Sequence, residues 1–247
     1  MGVQVPLRAR GERSLTSWVG WQGLFRAAPP GENLEAHLTI PTELQAITTL
    51  QAPGIRLSPL EPADVERVYD AAQSAQFARW LDWARGDYTW GQAEEFVNDF
   101  APRSWAGGAP LWGIYPTGEG ASGALAGVID LRPVPEGLEI GFWLHRDSQG
   151  CGLATAAGSL VVEAAFTHLG ARRLLHHAGV GNVASRRVAR NLGFRPEGVR
   201  RVEKVGGSIE KQWRSALLRS DWEQRGTEVP EPYRPVPPAE VLPGDRP

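Results

Sequence analysis

Residues 149–154 read Gln149-Gly150-Cys151-Gly152-Leu153-Ala154, between an alternating stretch, Leu138 to His145, and a long apolar run that opens at Leu153. The alternation predicts a strand and the run predicts a helix over Leu153 to His168, so the six residues form a strand-to-helix turn. Two glycines remove the side chains that would hold an anion away from the backbone. The first turn of the following helix offers unpaired N–H groups and the positive end of its dipole, which together suit a diphosphate. The turn is therefore a candidate cradle for a nucleotide-bearing cofactor, although two glycines at such a junction also serve as a plain tight connection.

Working outward, the strand divides its side chains between two faces: Leu138, Ile140, Phe142 and Leu144 on one, Glu139, Gly141, Trp143 and His145 on the other. The helix after the turn is apolar almost all round, which predicts burial between a sheet and other elements. Downstream, Arg172 to Ala178 reads as a strand, and Asn182 as the N-cap of a helix that ends near Asn191. Two closing strands, about Arg195 to Val205 and Glu210 to Leu218, flank a Gly206-Gly207 turn. Upstream, Ile55 to Leu60 reads as a strand, a helix begins at Pro62, and another spans Gln92 to Phe100. Leu111 to Tyr115 and Ala124 to Leu131 then read as successive antiparallel strands.

The order strand, glycine turn, helix, strand, followed by Asn182-Val183-Ala184-Ser185 and Leu192-Gly193-Phe194, resembles the GCN5-related N-acetyltransferase (GNAT) family. That family's turn has the form Gln/Arg-x-x-Gly-x-Gly/Ala, matched here by Gln149, Gly152 and Ala154. The resemblance covers about Ile55 to Trp222. It is most like the branch of ribosomal-protein-alanine N-acetyltransferases (RimJ/RimL-like), through Glu139-Ile140-Gly141-Phe142-Trp143-Leu144-His145, Asn182-x-x-Ser185, the Gly198-Val199 pair and the Gly206-Gly207 turn. It implies an α+β (mixed α/β) fold: a central, mostly antiparallel twisted sheet of about six to seven strands flanked by about four helices.

The resemblance also implies an acetyltransferase that uses acetyl-coenzyme A as co-substrate, without a metal. The coenzyme's diphosphate would lie on the amides of Gln149, Gly150, Cys151, Gly152, Leu153 and Ala154. Its pantetheine arm would follow the strand edge at Trp143, Leu144, His145 and Arg146, with a backbone N–H near Leu144 polarising the acetyl carbonyl. Asn182 matches a coenzyme-channel position and is equally suited to simple helix capping. Ser185 matches a serine linked to the sulfur as general acid, and is otherwise a small helix residue. Many members of the wider family carry a tyrosine four residues before the Gly-Phe pair to protonate the thiolate, where this chain has Ala189.

Glu203, beside the Gly206-Gly207 turn, falls near the carboxylate of the ribosomal-protein branch, with Lys204 one residue away; Glu139 is the alternative base. An α-amine acceptor, with an ordinary pKa near about 8, reaches a useful neutral fraction without a strong base. The acceptor is expected to be a protein or peptide N-terminus, with a small amine such as an aminoglycoside or polyamine as the runner-up. Asp82, Asp87, Glu94, Glu95 and Asp99 would suit a basic acceptor of either kind. A non-catalytic acyl-coenzyme A sensing module is the reading from a different class. A dinucleotide-binding Gly-x-Gly-x-x-Gly motif is disfavoured, because Thr155 stands where the third glycine belongs.

Composition narrows the alternatives. The 247-residue chain is 42% hydrophobic, enough for one substantial core, and its formal charge of -2 gives no general attraction to nucleic acid or anionic membrane. The single cysteine, Cys151, excludes an intramolecular disulfide framework, and inside the turn it reads as a small residue rather than a nucleophile. The five histidines, His176 and His177 among them, lack His-Glu-x-x-His spacing and read as structural or surface groups. With no spanning segment or leader evident, a cytoplasmic monomer or homodimer is expected. Residues 1–52 read as an N-terminal extension, 53–224 as the acetyltransferase domain, and 225–247 as a Pro-rich tail. Trp80, Trp83 and Trp90 cluster between the first helices and read mainly as core.

Overall fold

The computed structural model describes residues 42–84, 86–203 and 208–224. Its elements run α1 (Thr42–Gln45), β1 (Leu50–Ala52), β2 (Ile55–Ser58), α2 (Val65–Ala72), α3 (Ala75–Trp80), α4 (Trp90–Glu95), α5 (Ala101–Ala106), β3 (Leu111–Pro116), β4 (Gly127–Val134), β5 (Gly137–Leu144), α6 (Leu153–Thr167), β6 (Arg173–Gly179), α7 (Val183–Asn191), β7 (Arg195–Glu203), β8 (Ile209–Leu218) and α8 (Arg219–Gln224). A π-helical stretch, Phe96–Phe100, joins α4 to α5, so the helix expected over Gln92 to Phe100 belongs to a longer one.

The strands form one sheet in the order β1-β2-β3-β4-β5-β6-β8-β7. Every pairing is antiparallel except β5 with β6, which are parallel and matched only at Leu138↔Leu174 and Glu139↔Leu175. Beyond those pairs the two strands part. The eighth strand is β1, from a segment assigned by sequence to the extension: Leu44 and Ile47 are buried, and Trp112 Nε1 donates to Ile47 O at 2.9 Å. The sheet and its core therefore take in residues before 53. Short helices such as α3, α5 and α8 raise the helix number above four because brief, capped turns carry no sustained period; α3, for example, is capped by Ser74 Oγ, which accepts from Phe77 N.

The sheet separates two cores. On one side Trp112, Ile114, Ile129, Leu131, Ile140 and Leu174 meet Ala157, Val161 and Val162 of α6. On the other, Leu111, Tyr115 and Val128 meet Val68, Phe77, Trp83 and Phe96 of the helical layer. The division along β5 follows the alternation: Leu138, Phe142 and Leu144 pack with the first cluster and Trp143 with the second. Among the described residues no helix is long and apolar enough to cross a membrane, and no group of three or more His, Cys, Asp or Glu is placed to hold a metal ion.

Candidate active site

The parting of β5 from β6 leaves an open edge, and the glycine turn stands at its end. Gly150 and Gly152 adopt φ of 80° and 85°, a region that penalises other residues, and a Cβ at either would meet nothing within 4 Å. Gly152 is the N-cap of α6, and Thr155 N is the first amide to return to it, at 3.0 Å. The amides of Leu153 and Ala154 precede that bond and are left for an anion. Cys151 is exposed and its thiol donates to Ser148 O at 3.1 Å, a turn-closing contact.

The strand edge expected to take a pantetheine arm offers fewer free backbone groups than the sequence suggests. His145 N donates to Ala126 O of the neighbouring loop at 2.8 Å, so it is spent on the β4 side. Successive amides of an extended strand face opposite ways, which directs the N–H and C=O of Leu144 into the gap. Gln149 Nε2 already donates to Leu144 O at 3.2 Å, so the turn is tied to that edge.

The side chain of His145 acts as an anchor. Its buried ring lies between Asp70 and Asp147, with Nε2 2.6 Å from Asp70 Oδ2 and Nδ1 2.7 Å from Asp147 Oδ1. Arg67 grips Asp147 through two bonds of 2.9 Å, and the Arg67 hydrogen bonds, followed by Ser148, hold that carboxyl below the usual range. Arg146 is exposed, 3.4 Å from Asp70. Trp143 turns to the other face, its ring 5.0 Å from that of Phe77. It packs on the helical-layer core, and elsewhere Trp80 and Arg79 border a pocket of about 210 Å³ with Gly179, Val180, Glu210 and Gln212. Trp83 is core, whereas Trp90 is 46% exposed.

The two candidate bases lie apart. Glu139 is half-buried, with Arg132 Nη2 at 2.8 Å and His177 Nδ1 at 3.1 Å. Burial raises its pKa, but contact with His177 and the charges of Arg132 and Arg200 outweigh it, leaving about 2. So acidic a carboxyl is a weak base. Glu203 is exposed at the end of β7 and pairs with Ile209; alternation along β8 gives it the Ser215 face, opposite to Arg214 and the Glu139 cluster. The Gly206-Gly207 turn and Lys204 lie outside the described residues.

Asn182 Oδ1 accepts from Ser185 N at 3.2 Å, so its capping role is structural fact. Ser185 Oγ lies 2.9 Å from His176 Nε2. In sequence His176 reads only as a structural or surface group and neither Asp130 nor Arg132 stands out, because the contacts of His176 with Ser185 and Ser215 and of Arg132 with Glu139 form between elements. Arg186 lies over the Trp213 ring at 4.7 Å.

Asp130 is buried beside Arg132, whose Nε is 3.3 Å away. Burial foremost, with the nearby Glu139 charge, raises its pKa from 3.8 to about 6 against the pull of Arg132. The carboxyl is harder to ionise in the fold than in the unfolded chain, so its contribution favours folding at low pH and is lost as pH rises from about 4 to about 6, by about 3 kcal/mol. Asp130→Asn is therefore expected to gain about 2–3 kcal/mol relative to the parent between pH 4 and pH 7 in paired urea titrations. A stability difference independent of pH would contradict the assignment.

An acetyltransferase (GNAT) domain family model matches residues 55–195, which is more than half of the chain. The Bacillus subtilis (strain 168) protein named "Putative ribosomal N-acetyltransferase YdaF" is 32% identical over 170 residues, covering 66% of this chain and 91% of that protein. Among solved structures, RimL, a ribosomal L7/L12 α-N-protein acetyltransferase in complex with coenzyme A, superposes with a TM-score of 0.60 at 20% identity, covering 70% of this chain and 99% of RimL. The microcin C7 self-immunity acetyltransferase MccE, in complex with acetyl-CoA and AMP, gives a TM-score of 0.60 at 20% identity, with 68% and 93% covered.

Proposed function

The chain belongs to the GNAT acetyltransferase family and is an acetyltransferase, and from that premise we propose that it moves an acetyl group from acetyl-coenzyme A to the α-amino group of a protein or peptide. The observation that carries this reading is the open edge of β5. The Leu144 N–H and the amide-rich start of α6 lie on one continuous path, tied together by Gln149. A thioester carbonyl at Leu144 gains negative charge as the amine attacks, and a fixed N–H there stabilises that charge without reorganisation. The diphosphate, held on the amides of residues 149–154, sets the distance to the reacting carbon. The nitrogen bonds to the acetyl carbon, the C–S bond breaks with its electron pair going to sulfur, and the proton lost by the amine ends on the thiol.

The weak basicity of Glu139 favours an acceptor that needs little help to lose its proton. About a tenth of an α-amine with a pKa near 8 is neutral at pH 7, against well under a thousandth of a lysine or polyamine amine near 10.4. The name of the YdaF relative, a ribosomal N-acetyltransferase, agrees with a protein N-terminus. The test is thiol release from acetyl-coenzyme A with N-terminal peptides, the same peptides blocked at the α-amine, and polyamines. Peptide turnover that disappears on blocking is expected; turnover only on polyamines gives the small-amine enzyme, and saturable binding without turnover gives the sensing module.

A further inference from the structure

His176 is only 3% exposed, yet both of its ring nitrogens face hydroxyls. Nε2 lies 2.9 Å from Ser185 Oγ and Nδ1 3.4 Å from Ser215 Oγ. The ring is stacked on Phe142 of β5 at 5.8 Å with planes 14° apart, and Phe194 meets its edge at 6.1 Å. Beyond the last β5–β6 pair the next residues on this face are Ile140 and His176, with Phe142 one step further along β5, so the Phe142–His176 stack reaches across the gap. Ser185 is thereby suspended on the wall facing the open edge of β5. Its backbone is fixed by the Asn182 cap and its hydroxyl by the imidazole.

Resting on the reading above, we infer that His176 is a positioning residue that donates its Nε2–H to Ser185 Oγ, leaving the serine's own hydrogen to meet the departing sulfur. Burial, with a smaller contribution from the neighbouring His177, lowers the His176 pKa to about 4. The ring is thus neutral at physiological pH and carries one N–H. With that hydrogen on Nε2, the Ser215 hydroxyl 3.4 Å from Nδ1 is placed to serve it as donor. An unoriented serine would instead spend its hydrogen on the imidazole. When the C–S bond breaks, the electron pair goes to sulfur and the Ser185 hydrogen bond stabilises the thiolate, a function that Ala189 cannot supply from the other turn of α7.

The test is a double-mutant cycle. Ser185→Ala is expected to lower kcat by about 10- to 100-fold with the KM for acetyl-coenzyme A within about twofold. His176→Phe retains the aromatic packing between Phe142 and Phe194, and is expected to lower kcat about tenfold, also without changing KM. In the double variant the loss should equal that of Ser185→Ala alone, because the imidazole acts only through the serine. His176→Gln, whose amide N–H can still donate, should recover most of the rate. Thermal melts report whether each variant is folded. Nitrogen-15 spectra of the parent protein labelled at histidine should show His176 protonated at Nε2.

Additive losses, an unchanged kcat in His176→Phe, or the Nδ1–H tautomer would each overturn the inference. All rates are read both with an amine acceptor and as acceptor-free thioester hydrolysis. If no amine is consumed, the transferase reading fails, while hydrolysis and the tautomer still decide the role of His176.

Discussion

Gly152→Glu is expected to weaken acetyl-coenzyme A binding by at least about 100-fold while the protein stays folded. The position has φ of 85°, so any non-glycine residue there costs roughly 1 kcal/mol of backbone strain. A Cβ meets nothing within 4 Å, so the fold has room for the side chain. The space it fills is the one in front of the Leu153 and Ala154 amides. A carboxylate placed about 4 Å from a diphosphate charge is opposed by up to about 4 kcal/mol near a protein surface, and tenfold in affinity is about 1.4 kcal/mol. Gly152→Ala carries the same strain with neither the charge nor the bulk, and should lose less than about fivefold. Calorimetric titration of both variants, with melting curves, checks the pair. Equal affinities for Gly152→Glu and the parent would remove the phosphate cradle from the reading.

Gly127→Ala should be the most damaging single methyl in the sheet. The new Cβ would lie 2.2 Å from Trp143 O and 2.9 Å from Leu144 Cα, both backbone atoms that no side-chain rotation can clear. The strands β4 and β5 must move apart to admit it, at a cost of about 3 kcal/mol or more, which lowers the melting temperature by roughly 6–12 °C in a domain of this size. The displaced residues are the ones that carry the proposed carbonyl donor. A shift of about 1 Å there is enough to cost about 10²-fold in rate. Differential scanning calorimetry and kcat on the surviving folded fraction measure the two effects. A parent-like melting temperature would mean that β4 and β5 are not held in the register Gly127↔Leu144.

The parts of the fold legible in sequence were those decided by neighbours in the chain. Asn182 declares a helix start because its side chain reaches an amide three residues on, and the structure has that bond at 3.2 Å. The faces of β5 were legible because alternation is a property of an extended backbone. The apolar circumference of α6 announced a helix buried on several sides, and Ala154, Ala157, Val161 and Phe166 are buried. The segment 42–52 was not legible, since four helical residues and a three-residue strand have no period, and their place depends on contacts such as that of Trp112 with Ile47 O.

The candidate site divides in the same way. Glycines at 150 and 152, a helix start at Leu153 and a capped serine at 185 follow from local backbone requirements, so sequence by itself determined a strand, a glycine turn and a helix, and with them the family. Tertiary structure alone decided the rest. It turned His145 into an anchor between Asp70 and Asp147, clamped Glu139 between Arg132 and His177, sent Glu203 to the opposite face, and set His176 against Ser185. Each of these depends on which strands are neighbours and where β5 parts from β6. Electrostatic and hydrogen-bond partners act over a few ångströms in space, and apart from the His145–Asp147 pair the residues brought within that range here are separated by 7 to 75 positions along the chain.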